Sequence, residues 1–554
     1  MNLALSFQTR SLLGAMVSLG LGISIGGCTE RPRSGNSDPG VVTEASMGGA
    51  AAPSSYSNDV LTYHNDIART GQYLTETVLT ADNVNGKGFG KVGFLRVQGL
   101  VDAEPLYVSK LWIAGGLHRV VFVVTEHDLA YAFDADTYSP LWKASLLGAG
   151  ETTSDDRECQ QITPEIGITA TPVIDLNAGP HGTIYIVAMS KDPRGHYLQR
   201  LHALDITTGA ERRGSPQTIG ATFPGSGAAS VSGEVVFAPK QYEERAALLL
   251  LNGVIYTTWA SHCDHDPYTG WVMGFRASTL EPVAVLNLTP NGNEGAIWMT
   301  GDGPAADASG NIYLLTANGT FDTALDGRDF PSHGDFGNAF LKIATGGNKL
   351  AVADYFATRD TVPESNKDED LGSGGALLLP DLKDSHGNIR RLAIGAGKDQ
   401  IIYVVNRDSM GKFDLSGDKV YQEIPDALGG AEFATPAYFN NAVYYGAALA
   451  PLKAFPIANA YLATSPASQT STKFDYPGTT PSISANRTSN GIVWAVESNG
   501  MAGVLHAYDA TNLSKQLYSS GTEFAGNKFI TPMIADGKVY VGTPTGVVVF
   551  GLRK

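Results

Sequence analysis

The stretch that decides the fold runs from Thr531 to Phe550 and reads Thr-Pro-Met-Ile-Ala-Asp-Gly-Lys-Val-Tyr-Val-Gly-Thr-Pro-Thr-Gly-Val-Val-Val-Phe. A Thr-Pro dipeptide opens it, an Asp-Gly turn follows, and two short apolar runs come next. Runs of Val, Tyr and Phe bounded by Gly, Pro and Asp predict short β-strands joined by tight turns. Long helices are not expected in a chain with 64 Gly and 28 Pro residues.

The same pattern recurs along the chain. A strand-opening dipeptide that ends in Pro occurs at Glu104-Pro105, Thr171-Pro172, Gly303-Pro304, Thr435-Pro436, Thr480-Pro481 and Thr531-Pro532. The two largest gaps each hold one more unit, beginning at Ala246 and at Gly375. Eight units of roughly 60 residues, with three to four strands each, predict an all-β chain folded as an eight-bladed β-propeller over residues 58–554.

A propeller has to close its ring, because an open edge strand invites mispairing. The strand-like run from Phe89 to Val97 precedes the first unit and belongs to none of them. We therefore expect this N-terminal strand to complete the last blade. Residues 58–88 are expected to lie across one face of the ring as a leader.

The charge balance limits the partners of the protein. The chain has 39 Lys and Arg residues against 55 Asp and Glu residues, which gives a net charge of −16. Such a chain repels the phosphates of nucleic acids and offers no polybasic surface to a membrane. We expect no nucleic-acid partner.

Residues 1–28 predict an export signal rather than part of the fold. Arg10 precedes an apolar run that is too short to span a bilayer comfortably and that ends in Ile25-Gly-Gly-Cys28. This arrangement resembles a bacterial lipoprotein signal, which implies acylation of Cys28 and contact with a membrane through the lipid anchor only; plain secretion is the alternative. Thr29 after the Cys favours the outer membrane of a Gram-negative cell envelope, facing the periplasm or the exterior. Residues 29–57, rich in Ser, Gly, Pro and Ala, predict a flexible linker.

Export would place the two remaining cysteines, Cys159 and Cys263, in an oxidising compartment. A disulfide between them is permitted there, and two free buried thiols are the alternative. Their separation in the sequence does not decide between the two.

The repeats resemble those of the quinoprotein alcohol dehydrogenase-like propellers. The shared pattern is Thr-Pro, Val-Tyr-Val-Gly-Thr, Ala-Leu-Asp and Thr-Gly, and it covers about residues 89–554. That superfamily includes enzymes that use pyrroloquinoline quinone (PQQ) and also the lipoprotein scaffold of the outer-membrane barrel assembly machinery. The resemblance therefore implies the fold, whereas the function depends on the site.

Four segments, in the same order as in those enzymes, resemble their cofactor site. Gly-Ala-Ile-Trp298 resembles the stretch whose Trp forms the floor under PQQ, and Ala-Asn318-Gly resembles the stretch whose Asn binds calcium. Asp-Glu-Asp370-Leu-Gly matches the segment of the catalytic Asp, and Gly-Lys398-Asp matches the segment whose cation contacts the quinone oxygens. Thr169 is a further candidate for a hydroxyl contact to the cofactor. For Trp298, an aromatic residue packed between blades is the alternative.

Several positions depart from the pattern of the enzymes. Where they place a Glu metal ligand, this chain offers Asp192, and where many carry two adjacent cysteines it has Cys159 alone. Gly372 stands where lanthanide-using relatives have an Asp, so the resemblance implies calcium. As a separate hypothesis, the run His262-Cys-Asp-His-Asp266 contains the residue types of a transition-metal site.

These features predict a quinoprotein-type oxidoreductase of the cell envelope that binds PQQ and calcium and oxidises an alcohol or sugar hydroxyl of a small-molecule substrate. Asp370 would take the proton of the hydroxyl while hydride leaves for the cofactor, and Lys398 would stabilise negative charge on the quinone oxygen. Because the sequence has no Cys-x-x-Cys-His haem motif, the electrons would pass to a separate acceptor. The alternative is a non-catalytic propeller lipoprotein that acts as a protein-interaction scaffold in the envelope.

Overall fold

The computed structural model describes residues 57–554, and these residues form β-structure almost throughout. The predicted lipidation site Cys28 and nearly all of the predicted linker lie outside the described residues. Helices in the described part are confined to one α-helix, Thr361–Asn366, and three 3-10 turns, Met299–Gly301, Gly346–Asn348 and Leu371–Ser373. None of these helices in residues 57–554 has the length and apolar composition needed to cross a bilayer.

Eight sheets of four or more strands form the body of the described chain, and they are numbered here in chain order. Sheet 1 contains Leu106–Ile113, Gly116–Thr125, Leu129–Asp134 and Pro140–Ser145. Sheet 2 contains Val173–Asp175, Thr183–Lys191, Tyr197–Asp205 and Gln217–Thr218, with Thr152–Asp155 and Glu165–Ile166 added at one end. Sheet 3 contains Leu249–Leu251, Val254–Thr258, Trp271–Arg276 and Pro282–Asn287. Sheet 4 contains Ala305–Ala306, Asn311–Leu315, Phe340–Ala344 and Ala351–Phe356.

The second half of the chain repeats this plan. Sheet 5 contains Leu377–Leu378, Leu392–Ala396, Ile402–Asn406 and Gln422–Ile424. Sheet 6 contains Ala437–Phe439, Ala442–Tyr445, Ala450–Ala458, Tyr461–Leu462 and Ser468–Phe474. Sheet 7 contains Ser482–Asn486, Ser489–Ser498, Ala502–Asp509 and Asn512–Ser519, with Gln72–Tyr73 and Phe524–Ala525 at its edges. Sheet 8 contains Met533–Ala535, Lys538–Thr543, Gly546–Leu552 and Phe89–Arg96.

Three smaller sheets lie in the connections between these units. Thr222–Pro224, Ser230–Val231 and Glu234–Val236 form one of them. Tyr242–Glu243 pairs with Ala260–Ser261, and Leu382–Lys383 pairs with Ile389–Arg390.

The Pro-ending dipeptides mark the first strand of six of the eight sheets, as the sequence predicts, and sheets 3 and 5 begin in the two units that lack the dipeptide. Pro105 directly precedes sheet 1, Pro172 precedes sheet 2 and Pro532 precedes sheet 8. Proline is tolerated at the start of a strand because its missing N–H is not needed for the ladder there. The repeated dipeptides therefore predict correctly where these sheets begin along the chain.

The N-terminal strand closes the last sheet. Phe89–Arg96 runs antiparallel to Gly546–Leu552, with Phe89 opposite Leu552 and Arg96 opposite Gly546. This pairing confirms the closure expected from the sequence, and it covers the outer edge of the last unit with a strand from the start of the chain.

The hydrophobic core lies between neighbouring sheets. Phe122 of sheet 1 packs in one cluster with Ile184 of sheet 2, and further clusters join each sheet to the next as far as sheet 7. Trp494 of sheet 7 shares a cluster with Tyr540 of sheet 8 and Val121 of sheet 1. Because sheet 8 meets sheet 1, the sheets form a closed ring, which is the architecture of a β-propeller.

Residues 60–76 of the leader contact all eight sheets of the ring. The first strand given above for each sheet is called its inner strand. The leader backbone hydrogen-bonds to the second residue of six inner strands, in the pairs Val60 with Tyr107, Leu61 with Ile174, Ile67 with Ala306, Ala68 with Leu378, Thr70 with Tyr438 and Gly71 with Ile483, at 2.6–2.9 Å. The side chains of Arg69 and Glu76 add hydrogen bonds to Leu248 before sheet 3 and to Gly537 in sheet 8. The leader therefore lies across one face of the ring, as the sequence predicts.

Candidate functional site

A cavity of about 520 Å³ lies where segments next to the inner strands of the sheets converge. Trp298, Asp370 and Lys398, which the sequence predicts as cofactor-binding and catalytic residues, line this cavity together with Cys159 and Cys263. Its volume is in the range of small-molecule sites, which is roughly 300–1,000 Å³. The fold thus brings together side chains that are far apart in the sequence.

Trp298 presents its indole ring to the cavity from the segment before sheet 4. The two residues that follow it, Met299 and Thr300, have φ values of 33° and 56°, a conformation that side chains other than Gly adopt rarely. The Thr300 hydroxyl donates a hydrogen bond to the Ser373 carbonyl and fixes this turn against the next unit. The backbone is therefore held in a strained form that sets the direction of the indole.

Asp370 and Lys398 form a buried ion pair on the same wall. Lys398 Nζ lies 2.5 Å from Asp370 Oδ2 and 2.6 Å from Asp368 Oδ1, and it lies 5.9 Å from the centre of the Trp298 ring. The Lys398 N–H also donates to the Asp370 carbonyl at 2.8 Å. A Cβ on Gly397 would clash with that carbonyl oxygen, so the two segments approach this closely only because residue 397 is Gly.

The environment makes Asp370 a basic carboxylate. Burial raises the pKa of Asp370 above its ordinary value, and Lys398 and the Asn318 N–H oppose this shift. Burial lowers the pKa of Lys398, but Asp370 and Asp368 outweigh it, so the pKa of this ammonium lies above its ordinary value. The close ammonium keeps the pair ionic, while desolvation makes the carboxylate a stronger base than an exposed Asp.

Asn318 lies beside this pair. Its N–H donates to Asp370 Oδ1 at 2.7 Å, and its Nδ2 donates to Asp368 Oδ1 at 2.9 Å. Its Oδ1 is buried and accepts no hydrogen bond within the described chain. An unpaired buried oxygen is costly and is also the type of ligand that calcium binds. However, residues 57–554 contain no group of three or more His, Cys, Asp and Glu side chains placed to hold a metal ion.

Three predicted site residues do not line the cavity: Asn318, which contacts the lining residues Asp368 and Asp370, and Thr169 and Asp192. Thr169 is buried behind the wall, next to the carboxyl group of Glu243, which lines the cavity itself. The Asp192 carboxylate accepts hydrogen bonds from the backbone N–H groups of Arg194 and His196, both at 2.8 Å, within the turn of its own hairpin. The structure therefore does not bring Asp192 to the other metal-ligand candidates, because this turn folds the carboxylate back onto its own backbone.

Cys159 and Cys263 form a disulfide in the cavity wall, with their Cα atoms 5.5 Å apart. The bond joins the segment between Thr152–Asp155 and Glu165–Ile166, at one end of sheet 2, to a loop of sheet 3. Since it occupies the Cys263 sulfur, and no suitable ligand group exists in residues 57–554, the transition-metal hypothesis for residues 262–266 is not supported.

Sequence reasoning missed most of the side chains that complete the cavity. Among them are Arg245, Phe433, Tyr476, Lys528 and Phe529. The repeat holds a signal for the aromatic ones, because each lies a few residues before the Pro that opens an inner strand. The segment before each inner strand therefore delivers a side chain to the axis.

Fold and site together define a closed β-propeller with a polar and aromatic cavity between its sheets. No protein-family model matches the chain, and no curated protein sequence matches it. Solved structures are similar to it. Quinohemoprotein alcohol dehydrogenase from Comamonas testosteroni matches with a TM-score of 0.58 and 15% identity, over 90% of this chain and 81% of that chain.

Two further structures give the same result. A quinohemoprotein alcohol dehydrogenase from Pseudomonas putida HK5 matches with a TM-score of 0.57 and 13% identity, over 89% of this chain and 80% of that chain. A europium-containing methanol dehydrogenase matches with a TM-score of 0.53 and 13% identity, over 89% of this chain and 98% of that chain. At these identities the likeness shows the fold, and the propeller fold expected from the repeat resemblance is confirmed.

Proposed function

We propose that the protein is a quinone-dependent dehydrogenase that binds PQQ and oxidises an alcohol or sugar hydroxyl. The observation that carries this proposal is the meeting of Trp298, Asp370 and Lys398 in one cavity. An indole face suits a flat ring, a buried carboxylate suits proton abstraction, and an ammonium suits negative charge on an oxygen. The three similar structures support the proposal, because each is named as an alcohol or methanol dehydrogenase.

The cavity fits a flat anionic cofactor. PQQ is a planar fused-ring tricarboxylate, and its recognition calls for an aromatic face and cations. Trp298 and Phe433 lie in contact in the cavity wall, with ring centres 6.2 Å apart, and Lys398 lies over the indole. The disulfide of Cys159 and Cys263 lines the same space. When bound, PQQ would supply the acceptor for the hydride that leaves the substrate carbon.

The oxygen atoms around Asn318 and Asp370 supply only part of a calcium site. The protein offers the unpaired Asn318 Oδ1 and the carboxylates of Asp368 and Asp370, whereas calcium takes about six to eight oxygen ligands. We therefore propose calcium only together with the quinone, whose own oxygen atoms would complete the ligand set. Calcium alone should not bind measurably at this position.

The residues of the chain have distinct roles in the proposed reaction. Asp370 accepts the hydroxyl proton of the substrate, and its raised pKa increases its basicity for this step. The Asn318 N–H holds Asp370 Oδ1 in place, and Lys398 bridges Asp370 and Asp368. Lys398 would stabilise the negative charge that develops on a quinone oxygen when the cofactor is bound.

The proposal extends to the location of the protein. We infer that the chain is exported, anchored in the cell envelope through a lipid on Cys28, and passes its electrons to a separate acceptor. The sequence Ile25-Gly-Gly-Cys28 supports the anchor, and the disulfide supports an oxidising compartment. Metabolic labelling with a fatty-acid analogue, compared between the wild type and Cys28→Ser, tests the anchor; equal labelling of both contradicts it.

The test of the proposed function uses purified protein with added PQQ and calcium. We expect quinone absorbance to remain with the protein after gel filtration and a dye to be reduced with some member of an alcohol and sugar panel. Asp370→Asn should keep PQQ affinity and lose about 10²–10⁴-fold in kcat, because it removes the general base. Asp192→Asn is the matched control, since its carboxylate lies in a turn outside the cavity, and it should be as active as the wild type.

Two outcomes would contradict the proposal. Absence of PQQ binding at excess cofactor and calcium would exclude the enzyme and leave a non-catalytic propeller. Full activity of Asp370→Asn would remove Asp370 from its role as base.

A further inference from the structure

Four aromatic side chains form a continuous row along one wall of the cavity. Trp298, Phe433, Tyr476 and Phe529 follow one another with ring centres 6.2, 5.3 and 6.1 Å apart. All four line the cavity and come from the segments before sheets 4, 6, 7 and 8. The row extends well beyond the indole, and its rings, which are tilted or edge-on to one another, offer a second apolar surface next to the proposed cofactor position.

Cations accompany this row. Lys528 Nζ lies 5.6 Å from the centre of the Tyr476 ring, and Arg245 Cζ lies 5.1 Å from the centre of the Phe529 ring. Both cations are half-buried and line the cavity. At the other end of the row, Lys398 is neutralised by its ion pair with Asp370.

Arg245 and Lys528 differ from Lys398 because they have no anionic partner in contact. Neither side chain makes a salt bridge or donates a hydrogen bond to another residue in the described part of the chain. A half-buried cation in a cavity wall has lost part of its hydration, and an anionic ligand can compensate for that loss.

The acidic groups of the cavity do not supply that anion. Glu243 acts on Arg245 through its electric field without forming a salt bridge with it. Asp102 accepts a hydrogen bond from Asn527 Nδ2 at 2.7 Å, and Asp264 accepts one from the Tyr268 hydroxyl at 2.9 Å. The two cations are therefore available to a ligand.

We propose that Arg245 and Lys528 bind a carboxylate of the substrate while its ring lies against Tyr476 and Phe529, so that the substrate class is a ring-bearing alcohol with a carboxylate. The inference rests on the proposed function for the alcohol group. A guanidinium and an ammonium bind a carboxylate through charge-assisted hydrogen bonds, and a planar guanidinium does so with two parallel bonds. PQQ also carries carboxylates, so the experiment has to distinguish these two sources of the same group.

The first arm measures direct binding without PQQ. Titration of the protein with 4-(hydroxymethyl)benzoate and with benzyl alcohol, followed by intrinsic tryptophan fluorescence or calorimetry, compares ligands that differ only in the carboxylate. We expect the carboxylate to bind at least 10-fold more tightly. Arg245→Gln and Lys528→Gln should each remove most of that difference, Arg245→Lys should restore part of it, and Arg328→Gln, on an exposed turn, should change nothing.

The second arm measures PQQ binding by the same variants. The proposal predicts PQQ affinities within about threefold of the wild type for Arg245→Gln and Lys528→Gln, and a lower ratio of kcat/KM for the carboxylate over benzyl alcohol. Variants that lose PQQ affinity but still prefer the carboxylate over benzyl alcohol would assign the two cations to the cofactor and overturn the proposal. Equal binding of both alcohols to wild-type protein would overturn it as well.

The failures of the two proposals can be told apart. The first arm uses no PQQ and no turnover, so it reports on the carboxylate subsite even if PQQ does not bind. Thermal unfolding of each variant, compared with the wild type, shows whether it is folded, and Lys528→Gln provides an independent variant if Arg245→Gln is unstable.

Discussion

Replacing Arg69 with Met tests how the leader holds the ring together. The guanidinium of Arg69 is fully buried and donates to Thr62 Oγ1 at 2.8 Å. It also donates to the backbone carbonyls of Tyr63, Pro304 and Leu248, at 2.9, 3.2 and 3.3 Å. Met keeps much of the aliphatic volume of Arg and removes every donor, so the variant isolates the polar contribution of the side chain.

The expected loss follows from what the substitution leaves behind. Each hydrogen bond from a charged donor such as the Arg69 guanidinium contributes about 1.5–3 kcal/mol. The carbonyls that lose their donor add to this cost, although the contributions are not additive. We expect the free energy of unfolding to fall by about 3–5 kcal/mol, a large share of the ~5–15 kcal/mol of a typical protein.

The assay is unfolding in guanidinium chloride followed by tryptophan fluorescence, with the midpoint compared between variants. Arg328→Met is the control, because Arg328 is exposed and its guanidinium contacts Asp326, at 3.2 Å, and Phe330 of its own turn. Its effect should stay below about 1 kcal/mol. If Arg69→Met lowers stability no more than Arg328→Met, the leader does not stabilise the ring through this side chain and the reasoning is refuted.

Two further predictions concern stability. Burial raises the pKa of Glu104 and the pKa of Asp302 to about 8, above the ordinary pKa of each group. The stability that these two carboxyl groups contribute is therefore complete at a pH below their ordinary pKa values and is lost as the pH rises towards about 8. The thermal midpoint should therefore fall between pH 5 and 8, and fall less in Glu104→Gln; an equal fall contradicts this assignment. The double substitution of Cys159 and Cys263 by Ser should cost roughly 2–4 kcal/mol, because the bond joins positions 104 residues apart, whereas an unchanged denaturation midpoint would show that the disulfide does not stabilise the fold.

The sequence predicts the ring because the information is local and repeated. Each inner strand begins after a Pro-ending dipeptide or an equivalent apolar run, and the turn chemistry of each unit is the same. The closing strand Phe89–Arg96 is predictable for a different reason, since it is strand-like and has no unit of its own. The small sheets in the connections carry no repeat and are not predictable in this way.

The sequence predicts a site residue correctly only where a neighbouring residue, such as a Gly, also fixes the local backbone. Asp370 and Lys398 come together because Gly397 permits the close approach of their segments. Asp192 has the residue type of a metal ligand, but its carboxylate is held in a turn by the N–H of His196. The sequence of this loop does not show that the turn forms. The aromatic row is harder still, because each unit contributes a single ring and the row exists only after the ring of sheets has closed.

The leader and the cavity are coupled, because both contact the segments that precede the inner strands. Asp302 lies on the leader side, within the field of the buried Arg69, and its N–H donates to the Met299 carbonyl at 3.0 Å. Met299 belongs to the strained turn that directs the Trp298 indole into the cavity. Arg69 of the leader holds the segment just beyond that turn through its hydrogen bond to the Pro304 carbonyl at 3.2 Å, and strain of this kind persists only where the surroundings fix it. Loosening the leader should therefore disturb the orientation of Trp298 even where the sheets themselves remain intact.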